Sequence, residues 1–264
     1  MDHIEAATQI AKEAGRIQMD ALRSDINVEY KGTIDIVTDI DKKCEKLIVD
    51  FLSKNFPTYS VLGEEGTKKD GSEWKWIIDP IDGTTNFARG FPVFATSIAL
   101  AKNDEVVAGV VFDPNRNELF SAEKGSGAFL NGKKMCVTQE NKLIKSLLAT
   151  GFAYNVRETK EINNMELFTR FIMTTRAIRR MGSAALDLCY VACGRLDGYW
   201  RSLLEAWDIA AGSLLVSEAG GMVTMYDGSH FDVYGKDLVA SNRHLHSEML
   251  RVIGAIKKNE AVNE

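Results

Sequence analysis

The sequence predicts a mixed fold in one continuous unit: an α+β half over about residues 1–145, then an α/β half over about 146–258. Three observations carry this expectation. Two helical patterns at the start give way to short strand-like runs that close on the hairpin signal Asn131-Gly132. From residue 147 onward strand and helix patterns alternate. No internal repeat and no low-complexity linker divides the 264 residues.

The elements follow in order. Asp2-His3-Ile4-Glu5 has the spacing of a capping box, and Ile4, Ala7, Ala11, Ala14 and Ile17 recur on one face as far as Leu22. A second helix follows Thr38, with Ile40, Cys44, Leu47, Ile48, Phe51 and Leu52 on its apolar face, and stops before Pro57. Strands are expected at 74–79, 93–101, 106–113, 118–122 and 128–130. In the second half a strand at 147–152 precedes a helix over about 159–175. A strand at 177–180 leads through Gly182 into a helix at 184–193. A strand at 198–201 precedes the helix after Trp207, followed by a strand at 222–226 and a last helix from about Leu245. Residues 259–264 read as a frayed tail.

Composition narrows the function classes. Thirty-two basic and 37 acidic residues give a net charge of −5, with 26% charged and 45% hydrophobic residues. Those values fit a globular chain able to bury a large core, and exclude a polybasic nucleic-acid binder as a description of the whole. No apolar run approaches the 18 residues of a membrane span, and Asp2 and Glu5 stand where a signal peptide would be basic, so a cytoplasmic protein is expected. Cys44, Cys136, Cys189 and Cys193 form no CxxC pair; Cys189 and Cys193 share a helix face and are expected as thiols in a reduced compartment.

Three segments place carboxylates against apolar elements. They are Leu62-Gly63-Glu64-Glu65-Gly66, the run Trp76-Ile77-Ile78-Asp79-Pro80-Ile81-Asp82-Gly83-Thr84-Thr85-Asn86-Phe87, and Trp207-Asp208-Ile209-Ala210-Ala211-Gly212. In the second, an apolar strand buried on both faces ends at Pro80, putting Asp79 at its tip and Asp82 on a tight turn. Gly83-Thr84-Thr85 then offers backbone N–H groups and hydroxyls for a phosphate. Asp79, the Ile81 carbonyl and Asp82 are suitable oxygen ligands for a hard divalent cation such as Mg²⁺. Taken singly, Asp79 and Asp82 also suit turn and cap positions, Asp208 suits an N-cap, and Glu64-Glu65 suits a solvated loop. Together they would be partly buried carboxylates in need of cations.

These segments, continuing to Glu218-Ala219-Gly220-Gly221, resemble the inositol monophosphatase family of lithium-sensitive, Mg²⁺-dependent phosphatases, and the resemblance covers nearly the whole chain. It implies a layered αβαβα sandwich, of the kind shared with fructose-1,6-bisphosphatase, usually as a homodimer. It implies metal ligands at Glu64, Asp79, the Ile81 carbonyl, Asp82 and Asp208, holding two or three Mg²⁺ for which Mn²⁺ can substitute. Thr84 is implied as the partner of Glu64 in activating the attacking water, with Asp41 supporting the threonine. Asp82, Gly83, Thr84 and Asp208 are implied on the phosphate side, and Gly182, Ser183 and Ala184 on the alcohol side. Lys31-Gly32 resembles the family's loop near the mouth.

One position departs from the pattern. Inositol phosphatases of the family carry a glutamate seven residues before the last metal aspartate, and this chain has Arg201 there. Arginine donates and never accepts, so at the pocket rim it would favour a second phosphate; at a strand end it would simply meet solvent.

The expected activity is hydrolysis of a phosphate monoester, inositol monophosphate first, by activated water and without a phosphoenzyme. Fructose 1,6-bisphosphate, NADP, nucleotides and histidinol phosphate are the alternatives. A haloacid-dehalogenase-type phosphatase needs Asp-x-Asp-Gly-Thr, one residue shorter than Asp79-Pro80-Ile81-Asp82. A metal-stabilised protein-interaction role would add to catalysis rather than replace it. A Ca²⁺ module lacks its 12-residue loop, and His244-Leu245-His246 has no third zinc ligand and reads as a surface helix start. Neither nucleic acid nor a membrane is an expected partner.

Overall fold

The computed structural model describes residues 1–23, 27–30, 36–152 and 164–260, with the backbone alone at residue 30 and over 256–260. In the first half the chain runs α1 (His3–Ala21), β1 (Val28–Tyr30), β2 (Ile36–Thr38), α2 (Asp39–Asn55), β3 (Ser60–Gly63) and β4 (Lys68–Lys69). Then come β5 (Trp74–Asp82), α3 (Thr84–Ala88), β6 (Ala95–Lys102), β7 (Glu105–Asp113), β8 (Glu118–Glu123), β9 (Gly127–Leu130) and β10 (Lys133–Lys134). The second half holds β11 (Leu147–Thr150), α4 (Asn164–Thr174), β12 (Ala177–Arg179), α5 (Ala184–Ala192) and β13 (Gly198–Ser202). It ends with α6 (Ala206–Glu218), β14 (Met222–Thr224), β15 (Asp237–Ser241) and α7 (His246–Glu260).

Five layers result. An eight-stranded sheet, ordered β10-β9-β8-β7-β6-β5-β3-β4, is antiparallel except for the parallel pair β3–β5. One face carries α1 and α2, packed through Ala7, Ile10, Ala14, Cys44, Ile48 and Leu52 onto Trp76, Ile78 and Val110. The other face carries α5 and α6, whose Leu186, Leu188, Ile209 and Leu215 meet Ile77, Ala99 and Val111. Every residue of α5 is buried, as expected of a helix apolar all round and enclosed between two sheets. The second sheet, ordered β12-β11-β13-β15-β14, pairs β11 in parallel with β12 and β13 and β15 antiparallel with its neighbours. Beyond it Leu167 and Phe171 of α4 and Met249 and Ile253 of α7 close the last core against Trp200 and Val239. This is the layered αβαβα sandwich expected.

Several local expectations need correction. Asp2 makes no side-chain cap on α1, whose start is fixed instead by the His3 ring lying 5.1–6.1 Å from Phe56, Tyr59, Trp74 and Trp76. The working capping box is at α2, where Thr38 and Asp41 bond reciprocally. Pro80 does not end its strand. β5 continues to Asp82 through a register shift: Asp79 pairs with Ser97 and Asp82 with Ala95, so two residues, Pro80 and Ile81, face the single Thr96 of β6. A bulge tolerates the missing N–H, and the Pro80 carbonyl accepts from the buried Gln18 amide at 2.9 Å. His246 is no surface residue: it is 2% exposed, wedged between Thr224 Oγ1 at 2.9 Å and Ser241 Oγ at 2.8 Å. No helix among the described residues is long and apolar enough to cross a membrane.

Candidate active site

The bulge in β5 builds the floor of the site. It turns Asp79 and Asp82 to one side, where Asp208 arrives from the first turn of α6. One carboxylate oxygen from each of the three lies within 4.8 Å of the others. Asp79 is 1% exposed and Asp82 7%, and Asp208 is half-buried. Asp208 does not occupy the N-cap of α6. Glu205 does, and its N–H donates to Asp208 Oδ2 at 2.8 Å, which fixes the Asp208 side chain.

The electrostatics follow from packing like charges without water. Burial pushes the Asp79 carboxyl well above the usual carboxylate range, and Glu64, Asp82 and Asp208 push it further. Burial and Asp208 raise Asp82 to about 6, against the opposing pull of Ser183, the Ala185 N–H and Arg201. Asp208 is raised by burial and held down chiefly by Arg201. Asp79 Oδ1 has no hydrogen-bond partner among the described residues. A buried acceptor without a donor, among carboxylates that repel one another, is the donor set a hard divalent cation relieves. Asp79, Asp82 and Asp208 therefore fit such an ion, and the half-buried Glu64, within hydrogen-bonding reach of Asp79, extends the set.

Around this floor lie further residues singled out from the sequence. Gly83 has φ +99°, a left-handed backbone, and a Cβ there would lie 2.9 Å from the Val93 carbonyl, so only glycine makes the turn from β5 into α3. Thr84 opens α3, 7% exposed, and its hydroxyl lies 3.1 Å from both Asp41 Oδ1 and the Ile81 carbonyl. Asp41 is fully buried. Its other oxygen accepts from the Thr38 N–H at 2.8 Å, so this carboxylate is no exposed helix charge.

Ser183 and Ala184 turn their donors to Asp82. Ser183 Oγ lies 2.5 Å from Asp82 Oδ2, the Ala185 N–H donates to the same oxygen at 2.7 Å, and the Ala184 N–H donates to Oδ1 at 3.2 Å. The start of α5 is thereby tied across to the bulge, and Gly182 is left exposed at the preceding turn. Arg201 does not simply reach out to solvent. It is half-buried, because Gly151 leaves room for its stem: a Cβ on Gly151 would lie 2.8 Å from Arg201 Cδ. Lying down in this way brings its charge onto Asp82 and Asp208, while its Nε is buried with no hydrogen-bond partner among the described residues. Lys31-Gly32 lies outside the described residues.

Two positioning residues were missed. Asn86 donates from Nδ2 to the Val93 and Met181 carbonyls, both at 2.8 Å, clamping the loop before Gly182 onto the first half. Its place inside the Asp-Gly-Thr-Thr-Asn run was the available signal. Glu45 is 3% exposed, one turn beyond Asp41 on α2, and accepts from the turn that carries Glu64. Only its position four residues after Asp41 hinted at a shared face.

Comparison with known proteins agrees. The sequence profile described as the inositol monophosphatase family matches residues 2–258. An inositol-1-monophosphatase of Rhizobium meliloti is 42% identical over 94% of this chain and 91% of its own. A Nus factor SuhB of Pasteurella multocida is 40% identical over 94% of both. A Thermotoga maritima IMPase structure superimposes with a TM-score of 0.89 at 38% identity, covering 98% of this chain and 99% of that one.

Proposed function

The chain belongs to the inositol monophosphatase family, and on that premise we propose that it is a Mg²⁺-dependent phosphatase that hydrolyses inositol monophosphate by direct attack of water. The observation that supports this most is the convergence of Asp79, Asp82 and Asp208 within 4.8 Å, with Glu64 beside Asp79 and a braced Thr84 in the adjoining turn. When bound, Mg²⁺ would supply the positive charge that lets a phosphate monoester approach these carboxylates and would acidify a coordinated water.

The chain's own residues do the rest. Asp79, Asp82, Asp208, Glu64 and the Ile81 carbonyl would hold the ion. Thr84 directs its proton towards Asp41 or the Ile81 carbonyl, which leaves an oxygen lone pair to accept from the attacking water and orient it. Glu64, acceptor-only when ionised, takes up a proton from that water as its oxygen bonds to phosphorus and the P–O bond to the alcohol breaks, the departing alkoxide taking a proton from solvent. The N–H groups of Gly83 and Thr84 receive the phosphate oxygens. Phosphoryl transfer asks little covalent chemistry of a protein beyond this positioning and charge neutralisation.

Arg201 favours a second reading of the substrate. A guanidinium whose charge acts on Asp82 and Asp208 suits an ester that carries a further phosphate, such as fructose 1,6-bisphosphate or NADP. Relatives named Nus factor SuhB make a protein-partner role an addition to catalysis, since the carboxylate set here is complete.

The test is phosphate release from inositol 1-phosphate, fructose 1,6-bisphosphate, NADP, adenosine 3′,5′-bisphosphate and histidinol phosphate, each with Mg²⁺, with excess chelator and with Li⁺. Release that requires Mg²⁺ and is suppressed by Li⁺ supports the proposal. Full turnover in chelator removes it.

A further inference from the structure

We infer that Glu45 is a positioning residue for Glu64, and that α2 is the rigid part that sets Glu64 and Thr84 relative to each other. The inference rests on the proposed function for the role of Glu64, and goes beyond it in naming what holds that carboxylate in place.

The geometry starts from the helix. Asp41 and Glu45 are four residues apart, so they project from one face of α2. Asp41 reaches Thr84 Oγ1 at 3.1 Å. Glu45 reaches the turn after β3: Oε2 accepts from the Glu65 N–H at 2.7 Å, and Oε1 accepts from the Thr67 N–H at 3.1 Å and the Thr67 hydroxyl at 2.6 Å. Glu64 sits directly inside this clamp, its own N–H bonded to the Ile78 carbonyl at 3.1 Å. The turn is thus held from both ends, with Asp79 one residue beyond that carbonyl on β5.

Space confirms how closely the helix is seated. A Cβ on Gly63 would lie 2.5 Å from Glu45 Oε2, so the glycine before Glu64 is the room the clamp occupies. The helix itself cannot drift. Cys44, Ile48 and Leu52 are fully buried in the core beneath the sheet, and the Thr38–Asp41 box closes its first turn. A buried carboxylate 3% exposed with no basic partner among the described residues is costly unless donors satisfy it, and here two backbone N–H groups and a hydroxyl do so. In-line attack demands a fixed angle between the groups that handle the water. One helix turn supplies that angle by bracing Thr84 through Asp41 and Glu64 through Glu45.

Glu45→Gln tests this. The amide keeps the shape but presents a donor to at least one of three donors, so the turn loosens while the core stays packed. The readout is calorimetric titration of the metal-free protein with Mg²⁺ alone, paired with melting temperature, in a double-mutant cycle with Glu64→Gln. Disturbing an outer hydrogen-bonding partner of a metal ligand costs about 10–100-fold in affinity. The expected result is a weakening of that order in Glu45→Gln with the melting temperature nearly kept, and no further weakening when Glu45→Gln is added to Glu64→Gln. An equal penalty in both backgrounds, or unchanged Mg²⁺ binding in Glu45→Gln, overturns the inference. Should Glu45→Gln fail to fold, Thr67→Val removes one donor only and must weaken Mg²⁺ binding in the same direction. Wild-type protein that binds no Mg²⁺ would instead defeat the proposed function itself.

Discussion

Asp82→Asn has two opposed consequences whose balance depends on pH. Asp82 Oδ2 takes the Ala185 N–H and Ser183 Oγ, and Oδ1 takes the Ala184 N–H. Whichever way an asparagine amide is turned, its NH₂ faces one backbone N–H, and orphaning that donor costs about 1–3 kcal/mol. Losing the charge at the start of α5 costs about 0.3–1 kcal/mol more. Against this stands the repulsion that the variant removes. A carboxyl raised from 3.8 to about 6 binds protons more tightly in the folded state, so stability falls as pH rises through that window. The burden is about 3 kcal/mol at pH 8 and roughly half of that at pH 5. In excess chelator, the variant should be less stable than wild type at pH 5 and gain about 1–2 kcal/mol relative to it by pH 8. Urea unfolding at the two pH values measures this directly. A stability difference that stays flat across the window would show that Asp82 carries no such burden, and the electrostatic account of the site would fail. With Mg²⁺ present wild type should gain on the variant at both pH values, because only wild type gains full stabilisation from the ion, about 2.7 kcal/mol at a hundredfold excess over Kd. Phosphate release by the variant should fall by orders of magnitude.

Three further outcomes are expected. Burial pulls the His246 imidazole down to about 4 from 6.5, so the unfolded chain takes up a proton that the fold refuses and stability falls as pH drops through that window; His246→Gln should flatten this loss in unfolding measurements at pH 7 and 5. Asp41→Asn should cost about 0.5–2 kcal/mol through the Thr38 cap and lower kcat more than it raises KM, measured by thermal unfolding and steady-state kinetics. Arg201→Glu should lower kcat/KM for fructose 1,6-bisphosphate by about ten- to over a hundredfold, the worth of a charge-assisted contact of about 1.5–3 kcal/mol, while leaving or improving that for inositol 1-phosphate. An unchanged ratio of the two would show that Arg201 does not read the substrate.

The parts of the site written as contiguous signals were legible in the sequence. Asp79 and Asp82 are three residues apart on a strand whose apolar neighbours announce burial, and Asp208 opens a helix just as apolar. The rest depends on partners distant in the chain. Pro80 reads as a strand end until Gln18, 62 residues away, supplies the donor its carbonyl needs. β15 was not expected from the sequence, and its pairing with β13 and β14 is a tertiary fact. Glu45 looks like any polar residue of an amphipathic helix, and only the return of the chain at Gly63 reveals that its carboxylate is enclosed. Arg201 was readable as a departure but not in its posture, because the space it lies in is made by Gly151, just past the end of the neighbouring strand β11.

The central claim is that water oriented by Thr84 and Glu64 attacks phosphorus in one step beside Asp79, Asp82 and Asp208. The stereochemical course at an isotopically chiral phosphate ester tests it most directly. A single in-line displacement gives inversion of configuration in the released phosphate, and that is the predicted result. Retention would mean two displacements through a phosphorylated side chain, and would contradict the account.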